Sequence, residues 1–155
     1  MCLLVKKNYS IQIAEEDIPC FKVMFKTGGD GSLYSIYQHT PYKEKEIKFS
    51  DLDSPKRDIY GDFGIERGLH TFAYFSEAKR NVTDGVYDIG KDGGHVVCEL
   101  VLYKATIPKG AAYYEGTYEG RKSYASNALI LEEECEYPYW MISDNKFTKE
   151  EVACN

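Results

Sequence analysis

Apolar and polar residues alternate along much of the chain with the two-residue period of β-strands. The clearest case is Cys20 to Lys26, where Phe21, Val23 and Phe25 share one face and lysines occupy the other. A glycine-rich turn follows, so this strand is predicted to form a hairpin with the next strand, Leu33 to Tyr37.

The longest apolar run, His95 to Thr106, predicts a central strand that is buried on both faces for part of its length. A helical pattern is convincing only at Phe75 to Arg80, where Ser76 is the predicted N-cap, and Thr148 to Ala153 predicts a terminal helical turn. Further strands are predicted at Tyr9 to Ala14, Ile47 to Phe49, Leu69 to Phe72, Val86 to Ile89, Ala111 to Glu115 and Ala128 to Glu132.

Together these elements predict an α+β fold that is mostly antiparallel β-sheet, with about eight short strands and one short helix. An all-β barrel or sandwich is the alternative. The 155 residues suit a single domain spanning the whole chain, because this length can bury a core and no linker or repeat divides it.

The net charge of −6 bears on the kind of partner that the chain can bind. A domain that binds nucleic acid through its phosphates needs a basic face, and the lysines of Lys43 to Lys48 alternate with glutamates instead of forming one. We therefore expect no direct binding to nucleic acid and favour another protein as the partner.

The five cysteines are scattered, without the close spacing of a zinc site or a redox pair. Reduced thiols and a cytoplasmic location are the simplest prediction. The residues after Met1 lack the apolar core of a signal peptide, and no stretch approaches the length of a membrane span, so no membrane association is expected.

The segment with the most functional character is Gly68 to Phe72. His70 ends a glycine-rich loop beside Phe72 and Tyr74, which predicts the wall of a ligand pocket. The structural alternative is that Gly68 relieves backbone strain and His70 makes one buried hydrogen bond. No metal template, nucleophile elbow or phosphate loop accompanies this segment, so no metal and no cofactor are expected.

An ordered series of motifs between residues 20 and 132 resembles a group of short uncharacterised proteins from gut bacteria and their phages. No activity is established for that group, so the resemblance implies an origin and not a reaction. The motifs are Tyr60-Gly61, Gly68 to Phe72, Glu77-Ala78, Ile107 to Ala111 and Tyr124 to Ile130.

More distantly, the same order is similar to the ADP-ribosyltransferase fold, in which a glycine-rich segment, a helix, a long strand and a glutamate follow a first strand. The similarity implies a nucleotide pocket lined by Tyr34, His70 and Tyr74, with a glutamate from Glu132 to Glu134. Tyr34 stands where that superfamily has Arg or His, and the position of its catalytic glutamate falls near Ser126-Asn127. A binding role is therefore implied more readily than transferase activity.

These observations favour a non-enzymatic accessory or interaction protein, encoded by a phage or mobile element, that binds a host protein. The alternatives are an ADP-ribosyltransferase-like nucleotide-binding protein or enzyme, and a structural component of a larger assembly. The candidate binding residues lie on a tyrosine-rich face, in the Gly68 loop and on an acidic edge: Tyr34, Tyr37, Tyr42, His70, Phe72, Tyr74, Glu132 and Glu134.

Overall fold

The computed structural model describes residues 3–6, 10–83, 85–91 and 93–136. Within these ranges one short helix, α1 (Phe75–Ala78), continues into a 3-10 turn, Lys79–Asn81. The strands are β1 (Leu3–Val5), β2 (Gln12–Ile13), β3 (Ile18–Thr27), β4 (Leu33–Ser35), β5 (Pro41–Tyr42), β6 (Ile47–Phe49), β7 (Lys56–Arg57), β8 (Phe63–Ile65), β9 (Leu69–Phe72), β10 (Tyr87–Lys91), β11 (Gly94–Ile107), β12 (Ala112–Tyr118), β13 (Arg121–Ser126) and β14 (Ala128–Glu134).

These fourteen strands form one antiparallel sheet in the order β6-β14-β11-β3-β9-β13-β12-β1-β8-β7. Strand β10 also pairs with β11, β2 with β12, and β4 with β3 and β5. The path runs from β6 to β7 without closing, so the described sheet is open.

The predicted α+β class with about eight strands is therefore wrong, and so is the barrel or sandwich alternative. Strands β2, β5 and β7 have two residues each, which is too short to display a period. Strand β13 was not predicted from the sequence, because buried positions such as Ser123 and Ala125 carry small residues.

Strand β11 is an internal strand, third from the β6 end of the sheet, and its neighbouring residues Leu102 and Tyr103 are both buried, as its apolar run predicts. It pairs with β3 from Cys98 opposite Thr27 to Ile107 opposite Ile18, and with β14 on its other edge. The predicted hairpin of β3 with β4 is also confirmed.

Both faces of β3 are buried, so the chain has core on two sides of this strand. On one face Cys20 and Met24 belong to the larger apolar cluster. On the other face Phe21 and Val23 pack in a second cluster with Phe75 of α1. The face of β3 that was predicted to carry lysines therefore also contributes Cys20 and Met24 to the core.

The helix α1 forms through packing and not through capping. Its N-cap is Tyr74, which makes no side-chain capping hydrogen bond, so the prediction of Ser76 as N-cap is wrong. Phe75 is fully buried and meets the Phe21 ring edge-on at 5.8 Å between centroids.

The prediction that all cysteines are reduced thiols fails at one position. Cys20 and Cys98 are free and buried, but Cys135 is disulfide-bonded, so the expectation that all thiols are reduced is wrong for Cys135.

A cytoplasmic location stays a prediction. Among the described residues, no helix combines the length and apolar character needed to cross a membrane. The helical turn predicted at Thr148 to Ala153 lies outside the described residues.

Candidate functional site at a fork in the sheet

The sheet divides beside the middle of β3. On the edge that faces away from β11, Phe21 pairs with Phe72 of β9, whereas Met24 pairs with Ser35 of β4. Lys22 and Val23 lie between these two pairings, where β9 and β4 separate. We call this place the fork, and a cleft of about 630 Å³ opens there, a size typical of small-molecule sites.

One part of the cleft is apolar and rich in aromatic rings. Its walls form what we call the aromatic chamber: Phe25, Ile36, Phe72, Tyr87, Leu100 and Tyr118. The rings of Phe25 and Tyr87 have centroids 5.6 Å apart, and those of Phe72 and Tyr118 are 6.0 Å apart. Val23, Phe25 and Leu100 place this chamber on the face of the sheet that carries α1.

The other part of the cleft, which we call the cationic end, consists of Lys22, Lys48 and Tyr42. The Nζ atoms of Lys22 and Lys48 lie 5.7 and 5.3 Å from the centroid of the Tyr42 ring. Lys22 donates a 2.7 Å hydrogen bond to the carbonyl of His70, and Lys48 donates a 3.0 Å hydrogen bond to the carbonyl of Pro41. The ion pairs among the described residues all use other cations.

The cleft is cationic although the chain is acidic overall. Its charged lining comprises Lys22, Lys48 and Arg67 against the single carboxylate of Glu66, whereas the whole chain carries −6. Arg67 lies 3.5 Å from Asp51, but both side chains are largely exposed and their attraction is screened by water. Burial lowers the pKa of Lys22 to about 8, so this amine is still mostly protonated at neutral pH.

His70 is held in the cleft wall by the conformation of the preceding loop. Gly68 has φ of 154°, and a Cβ at this position would lie 2.8 Å from Cδ1 of Leu52. The Nε2 atom of His70 lies 3.0 Å from the carbonyl oxygen of Glu66, and burial lowers the pKa of His70 to about 4. The ring is thus neutral, and we assign its proton to Nε2 because a carbonyl only accepts. Its Nδ1 atom is buried without a hydrogen-bond partner among the described residues.

Two tyrosine hydroxyls connect the walls of the cleft. Tyr37, in the loop after β4, and Tyr118, at the end of β12, have hydroxyl oxygens 2.9 Å apart. The Tyr37 side chain is 60% exposed, so this bridge lies at the outer surface of the cleft. The hydrogen bond with Tyr37 is the main reason why the pKa of Tyr118 is raised to about 12.

The structure brings together half of the candidate residues named from the sequence. Those that line the cleft are Tyr37, Tyr42, His70 and Phe72. The other four candidates, Tyr34, Tyr74, Glu132 and Glu134, are not part of its lining.

These four residues lie elsewhere in the sheet. Tyr34 lies opposite Phe25 in the hairpin of β3 and β4. Tyr74 is near the Lys122 ammonium, which is 5.8 Å from its ring centroid. Glu132 and Glu134 are both on β14, where Glu134 forms an ion pair of 2.9 Å with Lys26. Of the glutamates invoked for a transferase-like pocket, Glu134 therefore has another partner.

The sequence interpretation missed the residues that give the cleft its charge: Lys22, Lys48 and Arg67. One signal was available for Lys22. It stands between Cys20 and Met24 on the same face of β3, and a lysine flanked at i−2 and i+2 by apolar residues indicates a cation drawn toward a core.

The chain matches no protein-family model, and no curated protein and no solved structure is significantly similar to it. The resemblances to proteins of gut bacteria and their phages and to the ADP-ribosyltransferase fold stay predictions. Within the described part of the chain, no three His, Cys, Asp or Glu side chains are grouped so that they could hold a metal ion.

Proposed function

We propose that this protein is a non-catalytic binding protein whose cleft at the fork holds a small organic anion. The observation that carries the proposal is the pair Lys22 and Lys48, two ammonium groups in one cleft of an acidic chain. Neither has a carboxylate partner among the described residues.

The hydrogen bonding of these lysines supports the proposal. An ammonium group has three donors, and the described contacts use one donor of Lys22 and one of Lys48, each on a backbone carbonyl. Partly buried charge without an opposite charge is unfavourable for folding. A bound anion would accept from the remaining donors and neutralise that charge.

The proposal is tested by titrating the protein with octyl phosphate at pH 7 and following binding by calorimetry. We expect the double variant Lys22→Met/Lys48→Met to bind at least tenfold more weakly than the wild type. Lys109→Met, which removes an exposed lysine in the turn after β11, is the matched control and should bind like the wild type. Equal affinity of all three proteins would refute the anion site.

A second candidate function is the docking of a partner protein at the turn between β7 and β8. Ile59 and Tyr60 are 90% and 83% exposed there, and large exposed apolar side chains mark many interaction sites. The Asp58 carboxylate fixes this turn by accepting hydrogen bonds from the backbone N–H groups of Tyr60, at 2.8 Å, and Asp62, at 3.0 Å.

The turn between β7 and β8 would be the surface on which the predicted host protein docks. A pull-down from bacterial lysate tests it by comparing the wild type with Ile59→Ser/Tyr60→Ser. A stoichiometric protein recovered only by the wild type supports docking at the turn, whereas equal recovery by both proteins places the contact elsewhere.

A further inference from the structure

We infer that the ligand is an aryl phosphate that spans the fork, with its phosphate at Lys22 and Lys48 and its ring in the aromatic chamber. This inference rests on the proposed function and deepens it by naming the class of ligand. It follows from the position of the two parts of the cleft relative to β3.

The two parts lie on opposite faces of one strand. Lys22 shares a face of β3 with Cys20 and Met24, and the next residue, Val23, points to the other face. Both residues line the same cleft, because strand pairing is interrupted between β9 and β4. A ligand that fills the cleft must therefore join a polar group to an apolar body.

The cationic end favours phosphate over a carboxylate. The ammonium groups of Lys22 and Lys48 each lie within 6 Å of the centroid of one ring, Tyr42, and both residues line the cleft, so this end of the cleft carries two point charges. A phosphate monoester has three acceptor oxygens and is close to a dianion at neutral pH, which matches two separate point charges. Arg67, whose pairing with Asp51 is largely exposed to water, adds a third cation to the lining of the cleft.

The apolar part favours an aromatic body over an alkyl chain. Four of the six walls of the aromatic chamber are rings, and two pairs of them already meet at the centroid distances typical of aromatic contacts. A planar ring adds contacts of the same kind. It also loses less conformational freedom on binding than an alkyl chain of similar area.

The test compares inorganic phosphate, octyl phosphate and 2-naphthyl phosphate as ligands, with affinities measured by chemical-shift titration at pH 7. We expect 2-naphthyl phosphate to bind at least tenfold more tightly than inorganic phosphate and about threefold more tightly than octyl phosphate. Leu100→Phe, which adds bulk inside the aromatic chamber, should remove the advantage of the ring while leaving the affinity for inorganic phosphate unchanged.

A second variant keeps the test valid if Leu100→Phe disturbs folding of the core. Ile36→Phe adds bulk from the loop after β4, where the side chain is only partly buried, and should have the same effect. If all three phosphates bind through Lys22 but the ring adds no affinity, the aryl phosphate is overturned and the proposed function stands. If none of the three binds, the proposed function fails as well.

Discussion

The Lys22 ammonium donates a 2.7 Å hydrogen bond to the backbone carbonyl of His70, across the gap where β3 and β9 separate. This contact connects the two strands at the point where the backbone ladder between them stops at Phe21 and Phe72. The same ammonium lines the cleft, so one side chain both supports the fork and supplies charge to the site.

Lys22 is expected to reduce the stability of the fold while serving the site. Lys22→Met keeps the length of the side chain and removes a partly buried charge, so the free energy of unfolding at pH 7 should rise by about 1 kcal/mol. This figure allows for the lost hydrogen bond to His70. Urea denaturation of both proteins measures it, with Lys109→Met as the control.

The difference in the free energy of unfolding between Lys22→Met and the wild type should depend on pH if the charge of Lys22 is its cause. Burial lowers the pKa of Lys22 from about 10.5 to about 8 on folding. Below pH 8 the amine is charged in both states and the penalty is complete. As pH rises from 8 to 10.5 the folded chain releases the proton first, so the wild type gains stability and the advantage of Lys22→Met shrinks. A difference that stays constant over this range would contradict the assignment.

Ligand binding should weaken as Lys22 loses its proton. Because the pKa of Lys22 is about 8 and a phosphate monoester stays a dianion above pH 7, the affinity should fall about fivefold or more between pH 7 and pH 9. In Lys22→Arg the guanidinium stays charged throughout this range, so most of that fall should disappear. Calorimetric titration at several pH values gives the result, and a wild-type profile identical to that of Lys22→Arg would exclude Lys22 as the titrating group.

A side chain at position 68 is expected to be unfavourable, chiefly because Gly68 has a positive φ that residues with a Cβ rarely adopt. At Gly68 an alanine would combine φ of 154° with a Cβ placed 2.8 Å from Leu52, so Gly68→Ala should destabilise the fold by about 1–2 kcal/mol and weaken ligand binding. Gly28→Ala is the matched control, because no atom lies within 4 Å of the Cβ it would add. Thermal denaturation of both variants shows whether the effect is specific to position 68.

The hydrogen bond between Tyr37 and Tyr118 should slow the exchange of ligand. Tyr37→Phe removes the bridge at the surface of the cleft, so association and dissociation rates should both rise while the equilibrium affinity changes by less than about threefold. The Tyr37→Phe change also has an independent readout, because the pKa of Tyr118 should then fall below its present value of about 12. Tyr60→Phe, at an exposed tyrosine outside the cleft lining, should leave both rates unchanged.

The sequence predicted those parts of the fold in which local pattern and burial agree. Strand β3 was found because its large apolar residues alternate along the chain, and β11 was found because it contains the longest apolar run. Strand β13 was missed because three of its four buried positions hold serine or alanine, which carry little hydrophobic signal. The number of strands, and with it the fold class, depended on short segments that only pairing with neighbours defines.

The sequence likewise predicted some residues of the candidate site and missed others. His70 and Phe72 were found because a glycine-rich loop precedes them, and the glycine has the conformation that such a loop requires. Lys22 was assigned to a polar face, since alternation alone does not show that the face covers a second core. The fork itself depends on the separate registers of β4 and β9 against β3, which no local pattern records.

The most direct test of the aryl phosphate site is a nuclear magnetic resonance titration of the wild type with 2-naphthyl phosphate at pH 7, following the side-chain signals of Lys22 and the methyl groups of Leu100. Leu100 lies opposite Phe25 on β11, so Lys22 and Leu100 are on opposite faces of the sheet, and both line the same cleft. A ligand that spans the fork should give saturable shifts at both residues with a single dissociation constant. Shifts confined to exposed lysines, or shifts at Lys22 without any at Leu100, would contradict a ligand that spans the fork.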